Sequence, residues 1–346
     1  MPAFLSDEQK FVQEAAADAL SRVCSLESIR AALDGAELVQ QWATAVEAGW
    51  TGLLVDEEAG GAGLGPTEAA LVLAEAGRRL APLPLIGHLV GTAAIAAADP
   101  GDPRLAALAG GELRAAAVLG SASVSADEGG RLSGSGGLTP DLPGADVLVV
   151  ITAASAWCVD ADAVGLVVEA IDSFDPSVAV ARPSFSGAAA SALALDTAAR
   201  NRVCALAHLL VAASLCGTGR SALELGVEYA KQRFAFARPI GSFQAIKHGL
   251  VEVLRRLEVA EVLVRDACSE YADNPEGFRR RALAARLGAA TAVDLATRRC
   301  MSVHGGIGVT WEHDAPLYFR RGQLLRRLYG SHDTVSAELA GALLEG

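Results

Sequence analysis

A segment between residues 233 and 244 brings cations, aromatic rings and an amide together over a short stretch. It reads Arg-Phe-Ala-Phe-Ala-Arg-Pro-Ile-Gly-Ser-Phe-Gln. Pro239 interrupts any continuous helix, so we expect a short irregular turn between two long helical segments. Its guanidinium groups and its amide can donate hydrogen bonds to a phosphate or a nucleotide. The alternative is an interhelical loop whose phenylalanines fill a core, namely Phe234, Phe236 and Phe243.

A second segment with ligand-binding potential covers residues 302–308 and reads Ser-Val-His-Gly-Gly-Ile-Gly. Its glycine pair, Gly305 and Gly306, lets backbone NH groups come close to a ligand where a side chain would block them. The alternative is that the two glycines only end a helix.

Other motifs carry less chemistry. The glycine-rich stretch at residues 59–65 lacks the Lys-Ser or Lys-Thr that a P-loop requires, so we interpret it as a connector. The six cysteines show no metal-ligand spacing, so no metal site is expected. They are interpreted as buried thiols of a cytoplasmic protein.

The composition excludes some classes of partner. A formal net charge of -12 argues against nucleic acid, which requires clustered excess cations. Short basic runs usually form a solvated helix face, and we interpret three such runs in this way: Arg279–Arg281, Arg320–Arg321 and Arg326–Arg327.

No uninterrupted apolar run reaches the roughly 20 residues that cross a bilayer. The chain start lacks a basic, apolar secretory signal, and no membrane association is expected.

The pattern along the chain predicts an α+β protein with three domains. Residues 1–99 are expected to form an N-terminal helical domain whose first helix is capped by Ser6 and Gln9. Residues 100–196 contain short β-prone runs separated by turns, as in a small middle β domain, and residues 133–137 are interpreted as a hairpin turn. Residues 197–346 return to helical spacing and predict a C-terminal four-helix bundle.

The segment at 233–244 resembles a motif of the acyl-CoA dehydrogenase family, Arg-x-x-Phe-Gly-x-x-Ile-x-x-x-Gln. Arg233, Phe236, Ile240 and Gln244 are in register, and Ala237 replaces the glycine of the family. Residues 49–61 resemble the N-terminal helical domain of the same family. The predicted order of domains is also that of the family, so the resemblance covers nearly the whole chain.

The resemblance implies FAD as the cofactor. In the family's dimers, the arginine segment and a Gln-x-x-Gly-Gly-x-Gly segment of one subunit hold the pyrophosphate and adenosine of an FAD that lies mostly on its neighbour. Ser302 stands where the second segment usually has glutamine. The implied cofactor-binding residues are Arg233, Phe236, Gln244, Ser302, His304, Gly305, Gly306 and Gly308.

Other parts of the family's active site are missing from the sequence. The threonine-bearing strands, the Gly-Ser-Asp turn and the Trp-Ile-Thr stretch that cover the flavin ring have no counterpart, and Trp157 is expected in a core. The two positions at which the family places its catalytic carboxylate fall at Tyr329 and at Ala207, beside His208. Tyrosine, with a pKa of about 10, is a poor base at neutral pH. Fallback acids are Glu312, Asp314 and Asp333.

We therefore hypothesise a non-catalytic subunit of a heteromeric acyl-CoA dehydrogenase, similar to the short subunits of actinobacterial enzymes that act on sterol side-chain CoA thioesters. No catalytic residue is assigned to the chain. The implied partners are a catalytic acyl-CoA dehydrogenase subunit, an acyl-CoA substrate and an electron-transfer flavoprotein as acceptor. The alternatives are a self-sufficient homo-oligomeric dehydrogenase with an unrecognised base and a flavin-free structural scaffold.

Overall fold

The computed structural model describes residues 5–120 and 123–344, and it confirms the α+β architecture. The N-terminal part is helical. Ser6 accepts a hydrogen bond from the backbone of Gln9 and Gln9 returns one, which is the predicted capping box. Its helices are α1 (Asp7–Val23), α2 (Leu26–Leu33), α3 (Trp42–Glu47), α4 (Pro66–Arg78), α5 (Ile86–Ala98) and α6 (Leu105–Ala109). The last of these packs against α5, so the helical layer continues past residue 99.

The middle part consists of two sheets. One sheet has the strand order β1-β5-β6-β9, with β1 and β5 parallel. The other has the order β2-β3-β8-β4, and β7 pairs with β8. The strands are β1 (Ala115–Leu119), β2 (Ser125–Ala126), β3 (Arg131–Ser135), β4 (Thr139–Pro140), β5 (Val147–Ile151), β6 (Ala156–Asp160), β7 (Leu166–Ala170), β8 (Val180–Ala189) and β9 (Ser191–Leu193).

One local prediction in this part is wrong. Ser133, Gly134 and Ser135 lie inside β3 and pair with β8, so they do not form a hairpin turn. Glycine favoured the turn interpretation, but Gly134 is required within the strand because a Cβ there would lie 1.8 Å from the carbonyl oxygen of Ser123.

Strands β1 and β5 are buried on both faces. Alternate residues contribute to different cores, as expected when each face of a sheet is covered. Ala115 and Val147 point into the large core shared with the helices, whereas Val118 and Val150 point into a second core between the two sheets. Trp157 belongs to this second core, as predicted. The sheet is thereby fixed against the helical domains.

The C-terminal part is a helical bundle, as predicted. Its helices are α7 (Thr197–Gln232), α8 (Gln244–Cys268), α9 (Pro275–His304), α10 (Ala315–Leu325) and α11 (His332–Leu344). Among the described residues, only α7 is long and apolar enough to cross a membrane by length and composition, and 89% of its most apolar window is buried inside the protein. This burial is typical of the core helix of a bundle.

Candidate functional site

The segment after α7 folds into a two-residue hairpin, which is more regular than the predicted turn. Strands β10 (Phe234–Ala235) and β11 (Arg238–Pro239) pair antiparallel, and a 3-10 helix at residues 240–242 leads into α8. The two connecting residues, Phe236 and Ala237, have φ angles of 52° and 61°. Positive φ at both positions is what a type I′ hairpin turn requires, and glycine or asparagine normally supplies it.

The hairpin holds its aromatic rings away from the core. Phe234 is 61% exposed and Phe236 is 91% exposed, so the alternative in which they fill a core is wrong. The guanidinium of Arg238 lies 4.1 Å from the ring centroid of Phe243, and the Phe236 ring meets Phe243 edge-on at 6.1 Å. These contacts stiffen the hairpin without burying its tip.

Two polar side chains of this segment are exposed and unpaired. Arg233, at the C-terminal cap of α7, has no hydrogen-bond or ion-pair partner among the side chains of residues 5–120 and 123–344. The same holds in the described chain for Gln244, the first residue of α8. Their donors are available to a molecule outside the chain.

The three glycines of the second segment have different roles. Gly305 ends α9 with φ 65° and ψ -137°, a conformation that favours glycine, so the helix-end interpretation holds for this residue. Gly308 is buried. A Cβ there would lie 2.4 Å from the carbonyl oxygen of Met301, so the fold requires glycine at this position. Gly306 is exposed, and a Cβ there would meet nothing within 4 Å. The described fold does not require glycine at 306, whereas close approach by a ligand would.

A stack of rings brings the two segments to the same end of the bundle. The ring centroids of Tyr229, on the last turn of α7, and His304 lie 4.2 Å apart. His313 stacks on His304, also at 4.2 Å, and His304 Nδ1 donates to the carbonyl oxygen of Cys300 at 2.7 Å. His304 is buried and its side chain holds the turn in place, whereas Ser302 is exposed.

Exposed apolar side chains surround these polar groups. Besides the phenylalanines of the hairpin, Val309 is 64% exposed and Trp311 is 65% exposed. Arg320 lies 4.6 Å from the ring centroid of Trp311. We call this region, residues 233–244 with 302–311, the bundle end. Large exposed apolar side chains rimmed by polar groups indicate an interaction surface.

Tyr329, one of the two positions where a catalytic carboxylate was sought, and His208, the neighbour of the other position at Ala207, line a separate cavity of ≈ 460 Å³. It lies between the middle domain and the bundle and contains His208 from α7 and Tyr329 from the loop before α11. Gly137 also lines it, and a Cβ there would meet nothing within 4 Å. Among the described residues that line it, the side chains with aromatic rings are those of His208 and Tyr329.

Neither His208 nor Tyr329 is suited to accept a proton at neutral pH. Burial, with a contribution from the charge of Arg286, lowers the pKa of His208 to about 3. Burial, with the charge of Asp141, raises the pKa of Tyr329 well above its usual value. His208 is therefore a neutral imidazole and Tyr329 a protonated phenol.

One carboxylate does line this cavity, and the sequence analysis missed it. Glu338 lies on α11, with its carboxylate 3.8 Å from Nε2 of His208 and 3.7 Å from Nη2 of Arg279. The fallback acids Glu312, Asp314 and Asp333 are not among the residues that line it. No motif marks Glu338, because its position depends on how α11 docks on α9.

The expectation of solvated faces at the basic runs is wrong at two of their members. Arg279 has a side chain only 15% exposed and lines the cavity. Arg321 is 3% exposed and donates from Nε to Asp175 at 2.9 Å. Successive helix residues differ by about 100° in direction, so one member of a basic pair can face inward while its neighbour faces water.

All six cysteines are free thiols, but Cys24 and Cys204 are only partly buried, so the expectation of buried thiols holds for four of the six. Burial raises the pKa of Cys268 and Cys300 to about 12, so these thiols are protonated and unreactive. The described residues contain no group of three or more side chains that could hold a metal ion.

Comparisons with known proteins agree with this architecture. The acyl-CoA dehydrogenase N-terminal domain model matches residues 6–99, and the C-terminal domain model matches residues 198–344. Acyl-CoA dehydrogenase IpdE2 of Mycobacterium tuberculosis is 32% identical over 345 residues, which cover 98% of both chains. Acyl-CoA dehydrogenase FadE34 of the same organism is 38% identical over 280 residues, which are 79% of this chain and 38% of FadE34.

Solved structures give the same result. A variant of the Tcur3481-Tcur3483 steroid ACAD superimposes with a TM-score of 0.89 at 28% identity, covering 98% of both chains. The ChsE4-ChsE5 complex from Mycobacterium tuberculosis has a TM-score of 0.89 at 23% identity, covering 100% of both chains, and shows the fold alone. From the full-length match to IpdE2 and the two domain models, the chain belongs to the acyl-CoA dehydrogenase family.

Proposed function

We propose that this chain is a subunit of a heteromeric acyl-CoA dehydrogenase and that its bundle end completes the FAD site of a catalytic partner subunit. The observation that carries the proposal is the placement of Arg233, Gln244 and Gly306 at one end of the bundle. The first two are exposed and unpaired within the described chain, and the third is a glycine that the fold does not need.

The side chains present fit the nucleotide half of FAD. Arg233 would bind the pyrophosphate with directed donors, and Phe236 and Gln244 would contact the nucleotide. The backbone at Gly305 and Gly306 would border it, with the Ser302 hydroxyl in place of the usual amide. His304 and Gly308 would hold this turn from inside the bundle, since both are buried. FAD, when bound, supplies the acceptor for the hydride that leaves the β carbon of the acyl group.

Partner recognition is the second part of the proposal. The exposed rings of Phe236 and Trp311 lie beside the nucleotide-binding groups, and a partner subunit would cover them as it brings its FAD. The two-part name of the Tcur3481-Tcur3483 steroid ACAD supports a heteromer. The ChsE4-ChsE5 complex supports only the fold of the chain. Among the described residues, this cavity offers a flavin no ring to stack on other than those of His208 and Tyr329, which supports a non-catalytic role.

The substrate of the complex would be a bulky acyl-CoA. This assignment comes from the steroid ACAD relative, and the acyl chain would lie chiefly in the partner subunit. An electron-transfer flavoprotein would reoxidise the flavin. Six unpaired thiols suit a reducing compartment, which supports a cytoplasmic location.

A self-sufficient acyl-CoA dehydrogenase is the second candidate, and Glu338 is the observation that favours it. This carboxylate lines the chain's own cavity together with His208 and Tyr329. Its proximity to Arg279 and His208 also accounts for its position without catalysis, because an ion pair alone stabilises a carboxylate there.

Flavin content distinguishes these candidates. We would express the chain alone and together with a catalytic subunit, and measure FAD per chain by absorbance after purification. The proposal predicts a colourless chain alone and a yellow complex whose flavin is reduced by acyl-CoA. A chain that is yellow by itself, and is bleached by acyl-CoA, would establish the second candidate. A complex without flavin would establish the structural scaffold.

A further inference from the structure

Strand β7 forms an open edge of the second sheet of the middle domain. It pairs with β8 along its whole length, from Leu166 to Ala170, and with no other strand among the described residues. The opposite side of β8 is occupied by β3 and β4. A strand at the edge of a sheet presents a row of unpaired backbone groups, and these can pair with another chain.

The register shows which backbone groups of β7 point away from β8. The amide of Ile171 donates to the carbonyl oxygen of Val180, so residue 171 points towards β8. Residues of an antiparallel ladder alternate between pairs that exchange hydrogen bonds and pairs that do not. Pro183, which has no NH to donate, stands opposite Val168, as expected for a pair that exchanges none. The amides and carbonyls of Val168 and Ala170 therefore point outward, and they find no hydrogen-bond partner in the described chain.

The side chains of this edge are exposed although several of them are apolar. Val168 is 37% exposed, Val167 is 61% exposed, and Val164, in the turn before the strand, is 89% exposed. Leu166 packs against the core between the two sheets, and Val168 and Ala170 lie on the same face of the strand. An added strand would extend this core beyond β7 and cover the exposed side chains.

The edge is acidic. Asp162, Glu169 and Asp172 are exposed and form no ion pair within the described chain. Arg182, which stands opposite Glu169 on β8, is the only lysine or arginine in residues 160–190. The charges along the edge therefore favour a cationic partner.

The same charges disfavour a second copy of this chain as the partner. If β7 paired with itself about a two-fold axis at Val168, each Glu169 would stand opposite a Val167. The two Glu169 side chains would then be diagonal neighbours on one face, where like charges repel. Each chain also has a formal net charge of -12. A charge on an edge strand thus opposes pairing between copies, and it attracts a basic strand.

We propose that β7 binds an extended basic segment of a partner protein, which adds to the five-stranded sheet as a new edge strand antiparallel to β7. The residues of the segment that stand opposite Val168 and Ala170 are apolar and exchange backbone hydrogen bonds with them. The residues between these are basic, and they lie on the face of Glu169. All the groups involved belong to the middle domain of this chain, so the inference does not rest on the proposed function.

Fluorescence anisotropy of a labelled peptide tests the proposal. The probe is Lys-Val-Lys-Val-Lys-Val-Lys, titrated with the full-length chain up to millimolar concentration. One control peptide has glutamate in place of every lysine, and the other has N-methylated valines. We expect saturable binding of the probe and binding of either control that is weaker by about tenfold or more. The glutamate peptide is repelled by Glu169, whereas the N-methylated peptide keeps its charge and loses the valine NH donors.

Two variants place the peptide on β7. Val168→Pro removes an amide hydrogen that the sheet does not use, so the variant should keep the melting temperature of the parent and bind the probe about tenfold more weakly. Glu169→Gln should weaken binding several-fold, because it removes a charge from the edge. The matched control is Glu128→Gln, in the turn between β2 and β3 at the opposite edge of the sheet, which should leave binding unchanged.

The proposal fails if the probe does not bind, if the N-methylated peptide binds equally well, or if neither Val168→Pro nor Glu169→Gln weakens binding. Sedimentation velocity of the chain over a range of concentrations tests the other occupant. A dimer that Val168→Pro abolishes would identify a second copy of this chain as the partner of β7 and would overturn the proposal.

Discussion

Tyr229 and His304 stack with their ring centroids 4.2 Å apart, and this contact fixes the end of α7 against the end of α9. Tyr229 lies one helical turn before Arg233, and its backbone carbonyl accepts a hydrogen bond from the Arg233 amide. His304 immediately precedes Gly305. The stack therefore explains how two segments far apart in the sequence form one surface at the bundle end.

Ala237 occupies a backbone conformation that suits glycine. Its φ of 61° is left-handed, where a Cβ costs about 1 kcal/mol. Ala237→Gly should therefore raise the free energy of unfolding by roughly 0.5–1 kcal/mol, measured by urea denaturation. Ala235→Gly, in the adjacent strand β10, is the control. It should lower the free energy of unfolding, because glycine there only adds entropy to the unfolded chain. Equal losses in both variants would contradict the strained hairpin.

Gly306 and Gly308 separate a binding role from a structural one. A Cβ at Gly308 would lie 2.4 Å from the Met301 carbonyl, so Gly308→Ala should lower the melting temperature of the isolated chain. Gly306→Ala should leave that temperature unchanged, since a Cβ there meets nothing within 4 Å. In the complex, however, Gly306→Ala should lower FAD occupancy. Full occupancy in this variant would show that no ligand approaches the backbone at 306.

Asp141 should make stability depend on pH. Its carboxylate accepts a hydrogen bond from the Gly87 amide at 2.9 Å, yet burial raises its pKa from 3.8 to about 6. The folded-state pKa lies above that of the unfolded chain. The contribution of this carboxyl to the free energy of unfolding is therefore most favourable below pH 4 and is lost as the pH rises through 6.

Asp141→Asn isolates this effect. Asparagine keeps an acceptor for Gly87 and tolerates the φ of 63° at this position. The variant should be more stable than the parent by about 1–3 kcal/mol at pH 8, with the gain falling as the pH approaches 4. Denaturant unfolding of the parent and the variant between pH 4 and pH 8 measures this difference in the free energy of unfolding. Asp146→Asn is the control. A gain that is independent of pH would mean that ionisation of Asp141 is not its cause.

Much of the fold follows from local patterns in the sequence. The capping box at Ser6, the helical spacing after residue 197 and the apolar runs of β1 and β5 predict elements that the structure contains. The exception at Ser133–Ser135 has a physical cause. Small residues favour turns in isolation, but here they allow β3 to approach a neighbouring backbone that only tertiary packing places there.

The bundle end was more accessible to sequence reasoning than the cavity. Arg233 and Gln244 lie in one short motif, so their spacing alone marks them. Glu338, His208 and Tyr329 come from different elements, and their meeting depends on how α11 docks on α9 and α7. The same dependence explains why the burial of Arg279 could not be predicted from a run of arginines.

The central claim is that this chain contributes Arg233 to an FAD held mainly by a partner subunit. The most direct test is the dissociation constant of FAD in the purified complex, measured by flavin fluorescence during titration of the deflavinated protein. Arg233→Ala should weaken FAD binding by about tenfold or more, because a charge-assisted bond to the pyrophosphate is lost. Arg22→Ala, a substitution of an exposed arginine on α1, should leave it unchanged. Equal FAD affinity in the parent and Arg233→Ala complexes would contradict the account.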